Sequence, residues 1–168
     1  QKQLKIAITE LLQPGSPSLP APFHPETIEN LADEFPLRIL VAEDNVVNQK
    51  LALRALARMG YKAELAKDGR EVLEKQAQFP FDLIFMDMQM PEMDGLTATR
   101  EIVAAYQPEQ RPIIIAMTAN VLQEDRDACL AAGMNDFLSK PLRFQTLQSA
   151  IRLWGQKILD RQVTEAIL

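Results

Sequence analysis

The sequence predicts an α/β fold: a doubly wound parallel sheet of five strands alternating with five helices, which cover it on both faces. Three observations carry this. Apolar runs recur at Leu37–Ala42, Leu83–Met86 and Pro112–Met117, each short and followed by polar residues. Continuous apolar runs of that length fit strands buried on both faces, as in parallel sheets covered by helices. Between them lie stretches of helical periodicity closed by Gly60 and Gly133, the residue type that ends helices most readily. Right-handed crossovers then set the handedness.

Residues 1–12 place Leu4, Ala7, Ile8 and Leu11 at helical spacing, but twelve residues alone make a marginal helix. Leu4, Ala7 and Ile8 share their offsets with Leu147, Ala150 and Ile151. An internal repeat and a chance likeness of two amphipathic helices explain this equally well. Residues 13–25 hold five of the eleven prolines, and the whole range 13–36 is expected as a Pro-rich linker. The single histidine, His24, lies there before Pro25 and reads as a solvated linker residue. The acidic stretch 26–36 is expected to form a short turn or helix before Pro36.

From Leu37 the rhythm of strands and helices begins. Leu37–Ala42 is the first strand and Val46–Met59 the first helix, with Val47, Leu51, Ala55 and Met59 as its apolar stripe. Tyr61–Leu65 is the second strand and Arg70–Gln78 the second helix, after the Asp68-Gly69 turn. Asp82–Met86 leads to Asp87, then a turn through Pro91 to Asp94-Gly95 and a helix over Leu96–Tyr106. Pro112–Met117, Val121–Ala132, Asp136–Ser139 and a helix from near Arg143, with Phe144, Leu147, Ile151 and Trp154 facing inward, complete the set. Residues 155–168 either prolong that last helix or lead to another domain.

At 168 residues the chain accommodates one well-buried domain with appendages. A net charge of −5 disfavours a nucleic-acid or anionic-membrane surface, because both need basic stripes. No apolar run reaches the length of a bilayer span. The lone Cys129 reads as a small buried hydrophobe and suits a reducing compartment, so a cytoplasmic location is expected. The first residue is Gln, and the chain reads as part of a longer protein.

In such a sheet ligands bind outside the carboxyl ends of the strands. Those ends carry Glu43 and Asp44, Asp87, Thr118 and Lys140. Three carboxylates, a hydroxyl and an ammonium would converge there. Clustered carboxylates raise one another's pKa unless a cation sits among them, and Mg²⁺ suits a site of few carboxylates, waters and phosphate oxygens. The chemistry that fits is attack by the Asp87 carboxylate on phosphorus, with Lys140 as a point charge and the Thr118 hydroxyl as a donor. Met86, Met88, Met90 and Met93 surround Asp87. Thioethers suit copper(I), so packing is the better reading of these four.

The runs VAEDN (41–45), FMDMQMPEMDG (85–95), AMTAN (116–120) and DFLSKP (136–141), in this order, make the chain from Leu37 to about Trp154 resemble the receiver domains of response regulators and hybrid sensor histidine kinases. The resemblance implies a flavodoxin-like three-layer (βα)5 sandwich with sheet order 2-1-3-4-5. It implies Asp87 as phosphoacceptor, Glu43 and Asp44 as the acidic pair holding Mg²⁺, the Gln89 backbone carbonyl as a further ligand, Lys140 as the partner cation and a cis bond before Pro141. Thr118 and Phe137 fall at the switch positions, where a Phe offers ring burial without a phenolic hydroxyl. A phosphohistidine donor and a downstream phosphotransfer protein are the implied partners.

The wording EDNxxNQ (43–49) is most like receivers of hybrid kinases, so 37–154 is expected as the receiver, 155–168 as a helical extension and 1–12 as the end of a preceding domain. The isolated domain would catalyse only its own phosphorylation and dephosphorylation. Two other readings stand beside this one. A pseudo-receiver would keep the fold without phosphoryl transfer. A Mg²⁺-dependent aspartyl-phosphate hydrolase commonly wants a second carboxylate two residues after the nucleophile, where Gln89 stands.

Overall fold

The computed structural model describes residues 30–120 and 122–168. The readings at residues 1–12, at His24 and in the proline-rich stretch 13–25 lie outside them. In chain order the elements are α1 (Leu31–Glu34), β1 (Ile39–Ala42), α2 (Val46–Arg58), β2 (Glu64–Ala66), α3 (Gly69–Gln78), β3 (Leu83–Asp87), α4 (Gly95–Ala105), a 3₁₀ turn (Pro108–Gln110), β4 (Ile113–Thr118), α5 (Gln123–Ala132), β5 (Asp136–Ser139) and α6 (Phe144–Ile167).

All strand pairs are parallel, in the order β2-β1-β3-β4-β5. This is the doubly wound, flavodoxin-like arrangement expected from the sequence. Alternation of side chains along each strand divides the apolar residues between two layers. Ile39, Val41, Leu83, Phe85, Ile113, Ile115 and Met117 face α2 and α6, meeting Leu56, Met59, Leu147 and Ile151. Leu40, Ala42, Ile84, Met86, Ile114 and Ala116 face α3, α4 and α5, meeting Val72, Ala98, Ile102 and Cys129. Every residue of β1, β3 and β4 is buried, which is why these strands read as unbroken apolar runs. Each buried Val, Leu, Ile, Phe or Met among them contributes about 1.5–3 kcal/mol by leaving water.

Three helices start on a side-chain cap. Asn45 accepts from the N–H groups of Val47 and Asn48, Asp68 from Glu71, and Asp94 from Thr97, a contact typically worth about 1 kcal/mol. α5 closes on Gly133, whose φ of 105° lies in the left-handed region. The peptide bond between Lys140 and Pro141 is cis.

Two expectations need correction. The stripe foreseen for α2 is buried only in part: Met59 is in the core and Ala55 packs against it, but Val47 and Leu51 are not buried. Ala52, Leu56 and Met59 enter the core, while Val46, Val47 and Leu51 are 58%, 65% and 49% exposed. The helix carries two apolar stripes, and packing against β1 selects the one that starts at Ala52. The range 13–36 is also not spacer throughout. Leu31 and Phe35 are buried in the core, and the buried Tyr61 hydroxyl lies 2.7 Å from the Phe35 carbonyl and 3.1 Å from that of Leu31. Phe35 packs on Gly155 of α6, where an added Cβ would lie 2.8 Å from the ring. Glu34 pairs with Arg152 at 3.3 Å. The chain entering the sheet and the helix leaving it are therefore clasped together. α6 runs unbroken past residue 154, and Gly155 and Ile158 are buried, so residues 155–167 prolong that helix.

Candidate functional site

The parallel register sets the carboxyl ends of β1, β3, β4 and β5 along one edge. Ala42 pairs with Met86, Asp87 with Met117, and Thr118 with Ser139. The ladder runs slightly past the strand ends: Glu43 N–H donates to the Ala66 carbonyl at 3.0 Å and Lys140 N–H to the Thr118 carbonyl at 2.8 Å. Backbone geometry thus delivers Glu43, Asp87, Thr118 and Lys140 to one cleft. α4 begins hard against it, since a Cβ at Gly95 would collide with the Asp87 carbonyl. Only glycine permits that approach.

Lys140 is the hub. Its Nζ lies 2.8 Å from Glu43 Oε2 and 2.8 Å from Asp87 Oδ2. Asp87 is 5% and Glu43 2% exposed, whereas Asp44 is exposed. Asp87 Oδ1 also accepts from the Gln89 N–H at 3.2 Å. Burial raises the Asp87 pKa, and the nearby Glu43 charge adds to it. The Lys140 ammonium and the Gln89 N–H pull the other way without cancelling the rise. Burial pushes Glu43 upward too, but hydrogen bonds from Lys140 and Asn45 prevail and hold it below its ordinary value. For Lys140 burial favours the neutral amine, yet the two carboxylates outweigh it and raise the pKa.

Carboxylate oxygens of Glu43, Asp44 and Asp87 all lie within 4.8 Å of one another. The donors are oxygen atoms throughout, a set that fits a hard divalent cation. Thr118 lines the same cleft, with Asp94, Asn120 and Asp125 on its rim. Its hydroxyl is turned to the loop, donating to the Asn120 carbonyl at 2.6 Å and accepting from the Asn120 N–H at 3.2 Å. Gln89 also lines the cleft. Phe137 lies outside it, half-buried against the second core layer, with the Arg126 guanidinium 4.2 Å from its ring centroid. Cys129 is buried, which raises its pKa, and its Sγ sits 3.3 Å from Met88 Sδ. That is the packing role expected of it.

Several contributors had no role assigned from the sequence. Gln49 Nε2 donates to the Glu43 carbonyl at 2.7 Å, and the Asn45 N–H to Glu43 Oε1 at 3.0 Å. The Asn48 side chain lines the same cleft beside Glu43 and helps hold its pKa down. The readable signal was spacing: in the first turn of a helix, Asn48 and Gln49 fall three and four residues after the cap and face back toward the strand end. The Arg126 stack on Phe137 crosses from helix to strand and left no such signal.

A family model for the response regulator receiver domain matches residues 39–152. The chain belongs to the response regulator receiver family. Among curated relatives, this receiver is 40% identical over 153 residues to histidine protein kinase 1 of Candida albicans, covering 84% of this chain and 6% of that protein. It is 41% identical over 123 residues to hybrid signal transduction histidine kinase K of Dictyostelium discoideum, covering 70% of this chain and 10% of that one. The chain therefore spans a small fraction of the length of these relatives.

Among solved structures, the receiver domain of a sensor histidine kinase from Pseudomonas aeruginosa, with a magnesium ion coordinated in its active site cleft, is 43% identical. Its TM-score is 0.65, over 71% of this chain and 98% of that one. The receiver domain of the response regulator Ssk1 of Saccharomyces cerevisiae, crystallised with the histidine phosphotransfer protein Ypd1, is 32% identical. Its TM-score is also 0.65, over 71% of this chain and 88% of that one. Among the described residues no helix is long and apolar enough to cross a membrane.

Proposed function

We propose that this receiver accepts a phosphoryl group from a phosphohistidine onto Asp87, with Mg²⁺ at the acidic cluster, as part of a hybrid sensor histidine kinase. The observation that carries the reading is the environment of Asp87: a nearly buried carboxylate at a rigid strand end, open to a cleft, with Lys140 Nζ 2.8 Å away. An Asp87 oxygen attacks phosphorus, the P–N bond to the donor imidazole breaks, and its electron pair returns to the ring nitrogen, which takes a proton from water. Positioning and charge neutralisation are what such a transfer requires.

Glu43, Asp44 and Asp87 would hold the cation through their carboxylates, with the Gln89 carbonyl as a further ligand. Bound Mg²⁺ supplies positive charge against the phosphoryl oxygens. Lys140 offsets the charge that builds on those oxygens. Thr118 exchanges its bond to Asn120 for one to the phosphoryl group, and the ring of Phe137 shifts with it to bias a surface that a partner reads.

The exposed Val46, Val47 and Leu51 beside the cleft form an apolar patch suited to a helix of the donor. The yeast receiver crystallised with its phosphotransfer protein supports this class of partner. The hybrid-kinase relatives support a hybrid-kinase parent; within it we read 37–154 as the receiver, 155–168 as its helical extension and 1–12 as the end of a preceding domain, in a cytoplasmic part of the protein.

Intact mass after incubation with acetyl phosphate tests the reading. One phosphoryl adduct is expected with Mg²⁺, none after chelation, and none in Asp87→Asn. No adduct on the folded native chain with Mg²⁺ present would make this a pseudo-receiver.

A further inference from the structure

The two acids that follow β1 are held very differently. Asp44 is exposed. Glu43 is held on every side: its N–H by the Ala66 carbonyl, its carbonyl by Gln49 Nε2 at 2.7 Å, Oε1 by the Asn45 N–H and Oε2 by Lys140. β1 ends at Ala42, so the Glu43 carbonyl has no ladder partner. A buried carbonyl left without a donor is costly, and here the Glu43–Asp44 peptide would be free to shift, loosening the backbone from which both acid side chains project. Gln49, half-buried in the first turns of α2, supplies the missing donor.

We propose that Gln49 is a positioning residue for phosphoryl transfer: by bonding to the Glu43 carbonyl it fixes the carboxylate that holds the Lys140 ammonium against Asp87. The proposal rests on the function proposed above. α2 is already anchored by the Asn45 cap and by buried Ala52, Leu56 and Met59, so the Gln49 bond orients Glu43 more than it stabilises the helix. Gln49 meets none of the reacting atoms and acts through Glu43 and Lys140.

Gln49→Met keeps the length of the side chain and removes the donor. Phosphorylation of the full chain is followed by intact mass over a range of acetyl phosphate concentrations with saturating Mg²⁺. The saturating rate should fall roughly 3- to 10-fold, the loss of one neutral hydrogen bond from the reacting geometry. The half-saturating concentration should stay within about twofold, because substrate binding is untouched. A readout independent of phosphorylation is the Lys140 side-chain ammonium signal by NMR in metal-free buffer, expected to shift and exchange faster with water in the variant. Gln49→Lys, which retains a donor on a flexible stem, should recover most of the rate.

A native rate with a native Lys140 signal in Gln49→Met would overturn the proposal. So would a Gln49→Lys variant as slow as Gln49→Met, or a Gln49→Met chain that no longer folds, which would make the residue structural. Phosphorylation of the native chain separates the two claims: without it the function fails and this inference falls with it, whereas a phosphorylated native chain matched by Gln49→Met sinks the positioning role alone.

Discussion

Replacing Lys140 by Met removes the ammonium 2.8 Å from both Glu43 and Asp87 and leaves two nearly buried carboxylates facing each other. Breaking a buried pair by deleting one partner costs about 3–5 kcal/mol. For a chain of this size that is a fall in thermal midpoint of roughly 6–20 °C. The cost must also depend on pH, and its sign follows from the charges left behind. In the variant both acids lose their cation, so both folded-state pKa values rise. A carboxylate with a raised folded pKa takes up protons on folding and costs most above that pKa, where it is charged. The deficit of Lys140→Met against the native chain is therefore largest near pH 8 and shrinks toward pH 5, by up to about 1.4 kcal/mol per pH unit for each proton gained.

In the native chain Glu43, held below its ordinary value, contributes stability that is present at neutral pH and lost as pH falls through its folded pKa. Lys140, held above its ordinary value, contributes stability that is present at neutral pH and lost as pH rises through its own. Circular dichroism melts of both proteins in EDTA at pH 5, 6 and 8 measure the difference. A deficit under about 1 kcal/mol, or one that stays constant or grows as pH falls, would refute the electrostatic account of the cleft.

The raised pKa of Asp87 means the fold disfavours its charge, so Asp87→Asn should melt no lower than the native chain in EDTA at pH 8, with any advantage fading toward pH 5. Tyr61→Phe removes the hydroxyl that bonds to Phe35 and Leu31, and urea unfolding should show a loss of about 1–3 kcal/mol. Gly155→Ala decides whether Phe35 is truly clasped: in an open helix the change would stabilise by about 1 kcal/mol. Against a ring 2.8 Å away it should instead cost about 1–3 kcal/mol, read from the same unfolding curves.

The sheet was legible because β1, β3 and β4 are buried on both faces and are hydrophobic up to the site residues Asp87 and Thr118 that end β3 and β4. Their pairing order is not written in that pattern; it came from the likeness carried by the four strand-end motifs. The convergence of Glu43, Asp87 and Lys140 followed from topology, since parallel strands end on one edge. What spacing could not give was orientation. Val47 and Leu51 looked like core and proved exposed, because α2 offers two apolar stripes and only packing against β1 selects one. Thr118 arrived at the cleft with its hydroxyl committed to Asn120. Leu31 and Phe35 were hidden within an acidic stretch that reads as a short turn or helix in a linker, and their burial depends on Tyr61 and Gly155, residues distant in sequence. Arg126 over Phe137 likewise joins two elements that no local pattern connects.

The central claim is that Asp87 carries the phosphoryl group, and borohydride trapping tests it at the level of the residue. An acyl phosphate is reduced by borohydride to the alcohol, so phosphorylated Asp87 becomes homoserine while free carboxylates stay unchanged. After treatment with acetyl phosphate and Mg²⁺, reduction and digestion, peptide mass spectrometry should find homoserine at position 87 and at no other acidic residue. Homoserine at Glu43, Asp44 or another carboxylate, with position 87 still Asp, would contradict the account.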